Sequence, residues 1–294
     1  MRRQAIKVWA KDRPGALPVP ADRKVSALTA PSVLDKWGDE AAGVRALSKG
    51  DNVITMFDII GEDFWSGGGI TAKGVAAQLR AIGDRPVEVQ LNSPGGDMFE
   101  GIAIYNVLRE HSQPVTIKVM GMAASAASVI AMAGDTIEIG AASFLMIHNC
   151  WVMAIGNRHD MAETAAWLEP FDQAMAEVYA ARSGQSAEAI AKWMDAETYM
   201  SGSTAVDRGL ADALLPADQV TVDDKTKASD VATNKLRAME LSLCQGGMSR
   251  SQARAHINEL KGTPGAASPA TTPGAGDDDW TADASKLLAK LKAG

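Results

Sequence analysis

Short β-rich runs alternate with stretches of helical periodicity in the middle of the chain. A run at 53–60 precedes a helical stretch ending near 82, and a strand at 87–91 precedes a helix ending near His111. Such alternation is typical of crossover helices on a largely parallel sheet. The sequence therefore predicts an α/β domain.

The same pattern continues toward the carboxyl end of this domain. Strands are predicted at 115–119, 136–139 and 144–148, and a run of small residues from Gly121 leads into a short apolar helix at 128–132. A long amphipathic helix is predicted next, because apolar residues recur at three- and four-residue spacing from about Asp160 to Arg182.

Composition divides the chain into five parts. We expect an N-terminal arm at 1–50, the α/β domain at 51–216, a helical extension at 217–261, a flexible Gly/Pro/Ala/Asp linker at 262–279, and an amphipathic tip at 280–294.

Charge and composition exclude several classes of function. The net charge of -7 argues against a nucleic-acid partner bound over a broad basic face. No apolar run is long enough to span a membrane, so no membrane partner is expected. The two cysteines and four histidines lack the spacing of a metal site, so no metal is expected.

Three short motifs lie at predicted strand ends. The turn Asn92–Asp97 contains two adjacent glycines, which can expose backbone N–H groups. Ser125 follows a strand among small residues, and His148 ends an apolar strand, where an imidazole is held rigidly, as a general base requires. Each motif alone has a structural explanation as a tight turn, a helix cap or a buried histidine.

In this order, the three motifs resemble those of the Clp-type serine peptidase (ClpP-like) family. They are Asn-Ser-Pro-Gly-Gly at 92–96, Gly-x-Ala-Ala-Ser at 121–125 and Met-Ile-His at 146–148. Residues 97–101 and 133–135 are more similar to the bacteriophage head maturation (prohead) proteases of this family. The resemblance implies a ClpP/crotonase-like spiral of ββα units in which the long helix serves oligomerisation.

The resemblance also implies the roles of individual residues. Ser125 matches the nucleophile and His148 the general base, while Gly96 and Ala126 match the positions whose N–H groups form the oxyanion hole. The substrate is expected to add as a strand beside the segment after the oxyanion-hole glycine, which is Asp97, Met98 and Phe99.

The third member of the expected triad departs from the family pattern. Gapless matching from Gly184 places Glu197 where the family has an aspartate, and Asp195 is a close alternative.

The resemblance implies a serine endopeptidase, without cofactor, that cleaves scaffold and major capsid proteins during viral head maturation. It would act as a homo-oligomeric ring in the host cytoplasm, within the immature capsid. Three alternatives stay open: a cellular ClpP-type peptidase working with an unfolding ATPase, a crotonase-fold acyl-CoA enzyme, and a non-enzymatic scaffold protein with a degenerate peptidase domain.

Overall fold

The computed structural model describes residues 26–27, 29–30, 32–34, 37, 50–65, 68–216 and 228–262. The chain divides into two compact units, Met1–Thr226 and Lys227–Gly294. Most of the predicted N-terminal arm, the linker beyond Gly262 and the tip at 280–294 lie outside the described residues.

The described strands are all short, between two and ten residues. They are β1 (Ser26–Ala27), β2 (Val53–Met56), β3 (Val87–Ser93), β4 (Val115–Ala124), β5 (Thr136–Ile139), β6 (Phe144–Ile147), β7 (Val152–Met153), β8 (Thr198–Ser201) and β9 (Ala213–Leu214).

The described helices of the first unit include one that is much longer than the rest. They are α1 (Ala72–Ile82), α2 (Met98–Arg109), α3 (Ala126–Ala131), α4 (Arg158–Ser183), α5 (Ala187–Asp195) and α6 (Gly202–Asp207). The second unit contributes α7 (Ala228–Gln245) and α8 (Arg250–Gly262).

A seven-stranded, mostly parallel sheet organises the first unit. The strand order β2-β3-β4-β5-β9 is parallel throughout, and β6 pairs in parallel with the end of β4. Only β8 runs antiparallel in this sheet, against β6. The α/β fold class with a mostly parallel sheet, predicted from the sequence, is confirmed.

Burial within the sheet is greatest at β3, where six of the seven residues are buried. Both residues of β9, by contrast, are exposed. The rings of Phe99 on α2 and Phe171 on α4 meet edge to face, with centroids 5.7 Å apart. This contact ties α2 to the long helix and fixes the layer that flanks the sheet.

Side chains in the preceding loops define where these helices begin. Thr71 accepts a hydrogen bond from the Gly74 N–H, as its position before an apolar helical pattern predicts. Asn157 and Asp160 form a capping box at the start of α4, and Gly184, in the left-handed region, ends the helix. The long helix therefore begins two residues earlier than predicted.

Two details of the predicted elements are wrong. The small residues from Gly121 to Ala124 continue β4, because they pair with β6 over Met122–Ala124. The following helix therefore begins at Ala126, not at position 128. The strand β2 also ends at Met56, before the end predicted at Ile60.

The second unit is a helical pair. The helices α7 and α8 are separated near Gly246 and Gly247, within the helical extension predicted at 217–261. The buried carboxylate of Glu240 accepts hydrogen bonds from Arg250 at 2.9 Å and Arg254 at 3.0 Å. These contacts join the two helices to each other.

Candidate active site

Ser125 occupies the junction between β4 and α3. It is the N-cap of α3, with φ 55° and ψ −127°. A residue with a Cβ adopts such a conformation rarely, at a cost of roughly 1–3 kcal/mol. Its hydroxyl makes no capping hydrogen bond to the helix. The side chain is therefore available to a different partner.

That partner is His148, which follows β6. The parallel pairing of Ala124 with Met146 places the ends of β4 and β6 side by side. The Ser125 N–H donates to the Met146 carbonyl at 3.0 Å, and the His148 Nε2 lies 2.7 Å from the Ser125 Oγ. A hydroxyl and an imidazole 23 positions apart are thus hydrogen-bonded.

The environment of His148 favours the neutral imidazole. The residue is only 6% exposed, and burial lowers the pKa of its side chain below the ordinary 6.5. The negative charge of Glu197 acts in the opposite direction and raises that pKa. Since burial is the larger effect, the imidazole is neutral at pH 7 and can accept a proton.

The glycine turn after β3 lies directly against Ser125. A Cβ added to Gly95 would lie 2.7 Å from the Ser125 Cβ and 3.0 Å from the Ala126 nitrogen. The Ile60 N–H donates to the Gly95 carbonyl at 2.9 Å, which holds the turn in place. Only residues without side chains allow this close approach.

Two residues that line the site can supply backbone N–H groups. Gly96 and Ala126 line one small cleft together with Ser125 and His148. Within the described part of the chain, neither the Gly96 N–H nor the Ala126 N–H donates a hydrogen bond to a protein acceptor. Both can therefore donate to an oxygen atom of a molecule bound beside the serine.

The two candidate carboxylates lie in different surroundings. Glu197, between α5 and β8, has φ 45° and its Oε2 accepts a hydrogen bond from the Ser32 hydroxyl at 3.1 Å. Asp195 accepts instead from the side-chain amide of Asn149, at 2.8 Å. Of the two, Glu197 is the one whose charge affects the pKa of His148.

The segment after Gly96 leads directly into α2. Asp97 is the N-cap of α2, and its carboxylate accepts from the N–H groups of Phe99 and Glu100. Met98 and Phe99 are the first helical residues, and Phe99 is fully buried. Asp97 itself is extended, with φ −64° and ψ 114°, and Met98 lines the cleft that holds Ser125 and His148. The expectation that Asp97, Met98 and Phe99 bind an extended substrate stays a prediction.

Several polar residues near the site were not found from the sequence. The sequence gives Ser128 only a structural place, as a small residue of the helix, yet its hydroxyl donates to the Ser125 carbonyl and contacts the Tyr179 hydroxyl. Tyr179 lies on the buried face of α4, where the periodicity indicates only packing. Ser32 comes from the weakly patterned arm, and no sequence signal pointed to it.

The described residues contain neither a metal-ion cluster nor a membrane-spanning helix. No group of three or more His, Cys, Asp and Glu side chains there is arranged to hold a metal ion. None of the described helices has both the length and the apolar character needed to cross a bilayer.

A hydrogen-bonded Ser–His pair beside two backbone N–H groups that have no acceptor among the described residues is the arrangement that serine hydrolases share. The Clp protease family profile matches residues 70–218, which is half of the chain. The chain belongs to the Clp protease family.

Two relatives are both named ATP-dependent Clp protease proteolytic subunit. The chain is 29% identical over 193 residues to the protein from Ligilactobacillus salivarius (strain UCC118), covering 63% of this chain and 94% of the relative. It is 34% identical over 126 residues to the protein from Pleurastrum terricola, covering 42% of this chain and 64% of the relative.

Proposed function

We propose that this protein is a serine endopeptidase that hydrolyses peptide bonds through an acyl-enzyme on Ser125. The observation that supports this most directly is the 2.7 Å hydrogen bond between the Ser125 Oγ and the His148 Nε2. Membership of a protease family agrees with it. The strained backbone of Ser125 is a second sign, because such strain is common at functional sites.

In the first half of the reaction, the Ser125 Oγ attacks the carbonyl carbon of the scissile bond. His148 Nε2 takes the hydroxyl proton as the new C–O bond forms. The negative oxygen that results accepts hydrogen bonds from the Gly96 and Ala126 N–H groups. His148 then gives its proton to the departing amine, and the C–N bond breaks.

In the second half, a water molecule hydrolyses the acyl-enzyme. His148, neutral again, takes a proton from the water as it attacks the ester carbonyl. The same two N–H groups stabilise the second tetrahedral intermediate. The ester bond breaks, the proton returns to Ser125, and the acid product leaves. No step requires another reactant.

We assign the third position of the triad to Glu197. Its carboxylate would hold the imidazole in the tautomer that leaves Nε2 free to accept, and would stabilise the imidazolium that forms. The effect of its charge on the pKa of His148 supports this assignment. Asp195 instead accepts a hydrogen bond from Asn149, the residue that follows His148.

Replacing Glu197 with glutamine is expected to lower kcat by about 100-fold or more, because the imidazolium loses its counter-charge. The same change removes the influence that raises the pKa of His148, so that pKa falls further. Since the base works only when neutral, the acid limb of the kcat/KM profile moves to lower pH.

The matched control is Asp195→Asn, which also neutralises one carboxylate of the same segment. It should leave both kcat and the position of the acid limb close to those of the unaltered protein. A pH–rate series on both variants measures this. A larger loss of kcat in Asp195→Asn than in Glu197→Gln would assign the third position to Asp195.

The biological setting is proposed from the relatives. Their names support the cellular alternative, a Clp-type proteolytic subunit that receives protein substrates from an ATP-dependent partner. We therefore favour this setting over viral head maturation, which those names do not support. The family resemblance further favours a homo-oligomeric assembly.

One observation keeps head maturation as a second candidate. The helical pair α7–α8 lies beyond residues 70–218, the part that matches the family. An added unit of this kind is not needed for peptide hydrolysis itself. It is compatible with a protease that docks on a scaffold or capsid protein.

Covalent labelling tests the proposed chemistry. A fluorophosphonate probe should add one phosphonyl group to the purified protein, and peptide mass spectrometry should place it on Ser125. A crotonase-type enzyme or a degenerate scaffold protein would give no such adduct. Failure to label the folded protein at Ser125 would contradict the proposal.

A second experiment separates the two settings. A folded, tagged substrate is incubated with the protein, with and without a Clp-type ATPase and ATP. Degradation that needs the ATPase supports the cellular setting. Site-specific cleavage of a capsid or scaffold protein without ATP supports head maturation.

A further inference from the structure

The peptide unit between Ser125 and Ala126 is fixed by its carbonyl end. The Ser125 carbonyl accepts hydrogen bonds from the Ser128 hydroxyl at 2.6 Å, the Ser128 N–H at 2.9 Å and the Val129 N–H at 3.3 Å. In a trans peptide the C=O and the N–H point in opposite directions. Whatever holds the Ser125 carbonyl therefore also directs the Ala126 N–H.

The shortest of the three bonds comes from a side chain that has its own buried partner. The Ser128 Oγ lies 2.7 Å from the Tyr179 hydroxyl. Since the single proton of Ser128 is donated to the Ser125 carbonyl, Tyr179 is the donor in the second bond. Both side chains are buried, with exposures of 0% and 1%.

The Tyr179 phenol keeps its proton under ordinary conditions. Burial raises the pKa of this group above its usual value. A neutral phenol keeps the proton that it donates. Tyr179 can therefore donate to Ser128 while Ser128 donates to the Ser125 carbonyl.

The opposite side of the same peptide unit is packed closely. A Cβ added to Gly101 of α2 would lie 2.8 Å from the Ala126 Cβ. The peptide unit thus lies between the packed surface of α2 and the hydrogen bonds that begin on α4. It has little room to rotate.

We propose that Ser128 and Tyr179 are positioning residues that aim the Ala126 N–H at the developing oxyanion. This inference rests on the proposed serine peptidase function. Ser128 does not line the cleft, and Tyr179, which does line it, has its hydroxyl hydrogen-bonded to Ser128. They act through the Ser125–Ala126 peptide, whose orientation decides whether the N–H points into the cleft.

The test uses Ser128→Ala and Tyr179→Phe in the full-length protein. Complete removal of an oxyanion-hole donor costs 100-fold or more, so a misdirected donor should lower kcat by about 10-fold in Ser128→Ala. Tyr179→Phe, which removes one oxygen atom, should show a smaller loss. KM should change by less than about twofold, because the donor acts mainly in the transition state.

A tetrahedral-adduct inhibitor gives a readout that a merely structural role would not change. The affinity for a peptide aldehyde should fall in parallel with kcat, while the affinity for the matching uncleaved peptide amide stays the same. The control is Ser143→Ala, because Ser143 is also a buried serine but its Oγ has no hydrogen-bond partner among the described residues. This variant should behave like the unaltered protein in both assays.

The outcomes are distinguishable. If the unaltered protein is not labelled by fluorophosphonate at Ser125, the proposed function fails and this inference fails with it. If labelling succeeds but Ser128→Ala and Tyr179→Phe keep full kcat and aldehyde affinity, the inference alone is overturned. If Ser128→Ala does not fold, Tyr179→Phe decides the question by the same measurements.

Discussion

Ser125→Ala is expected to lower kcat/KM for peptide hydrolysis by about 10,000-fold or more, because the acyl-enzyme can no longer form. The loss should appear in kcat, while substrate binding stays nearly unchanged. The removed oxygen is hydrogen-bonded to His148 at 2.7 Å, so fluorophosphonate labelling should also disappear. Rates with a fluorogenic peptide, and intact mass after labelling, measure both effects.

Ser125→Gly provides the matched variant. It removes the same nucleophile but tolerates φ 55° without steric strain. We therefore expect Ser125→Gly to be more stable than Ser125→Ala by about 1 kcal/mol, with both proteins inactive. Urea unfolding gives the difference. Residual activity in either variant would remove Ser125 from its proposed role, and equal stabilities would show that the backbone there is not strained.

The strand and helix pattern could be predicted because it depends on local sequence. The strand predicted at 87–91 and the helix start after Thr71 depend on a few neighbouring residues, and the structure contains both. The boundary at Ala124 could not be found in the same way. Small residues suit a helix start as well as a strand, and only the pairing of β4 with β6 decides between them.

The approach of Ser125 to His148 was an expectation based on resemblance. Local sequence places each residue at a strand end, but the distance between them depends on the register of two strands. The surroundings of Glu197 could be predicted even less from the sequence. Its partner Ser32 is 165 positions away, in a segment with no clear pattern. Contacts over such separations leave no periodic signal in one sequence.

The start of α2 directly after Asp97 has a physical reason. An acidic residue after a glycine turn is a good helix cap, since its carboxylate accepts from the N–H groups of the first turn. The extended backbone therefore ends at Asp97, and the helix begins at Met98. Met98 lines the cleft beside Gly96, so contact of this segment with a substrate stays a prediction.

Gly96→Ala is expected to damage both the fold and the reaction. The residue has φ 155°, and an added Cβ would lie 2.0 Å from the Ile60 carbonyl oxygen. That oxygen accepts from the Asp97 N–H at 2.8 Å, so the backbone can relax only by giving up this bond. We expect a loss of about 3 kcal/mol in the free energy of unfolding.

The same displacement moves the Gly96 N–H away from the developing oxyanion. A kcat lower by about 100-fold in the folded fraction should follow, with a much smaller change in KM. Urea unfolding measures the first effect, and kinetics at low temperature, where the variant stays folded, measure the second.

Gly83→Ala is the matched control, because it introduces the backbone strain of a positive φ without a steric clash at the added Cβ. Gly83 also has a positive φ, 72°, but an added Cβ would meet no atom within 4 Å. This change should cost about 1 kcal/mol and leave kcat unaltered. If Gly96→Ala were no more damaging than Gly83→Ala in stability and in kcat, the Gly96 N–H would have no part in the oxyanion hole, and the Ala126 N–H would be the donor that remains.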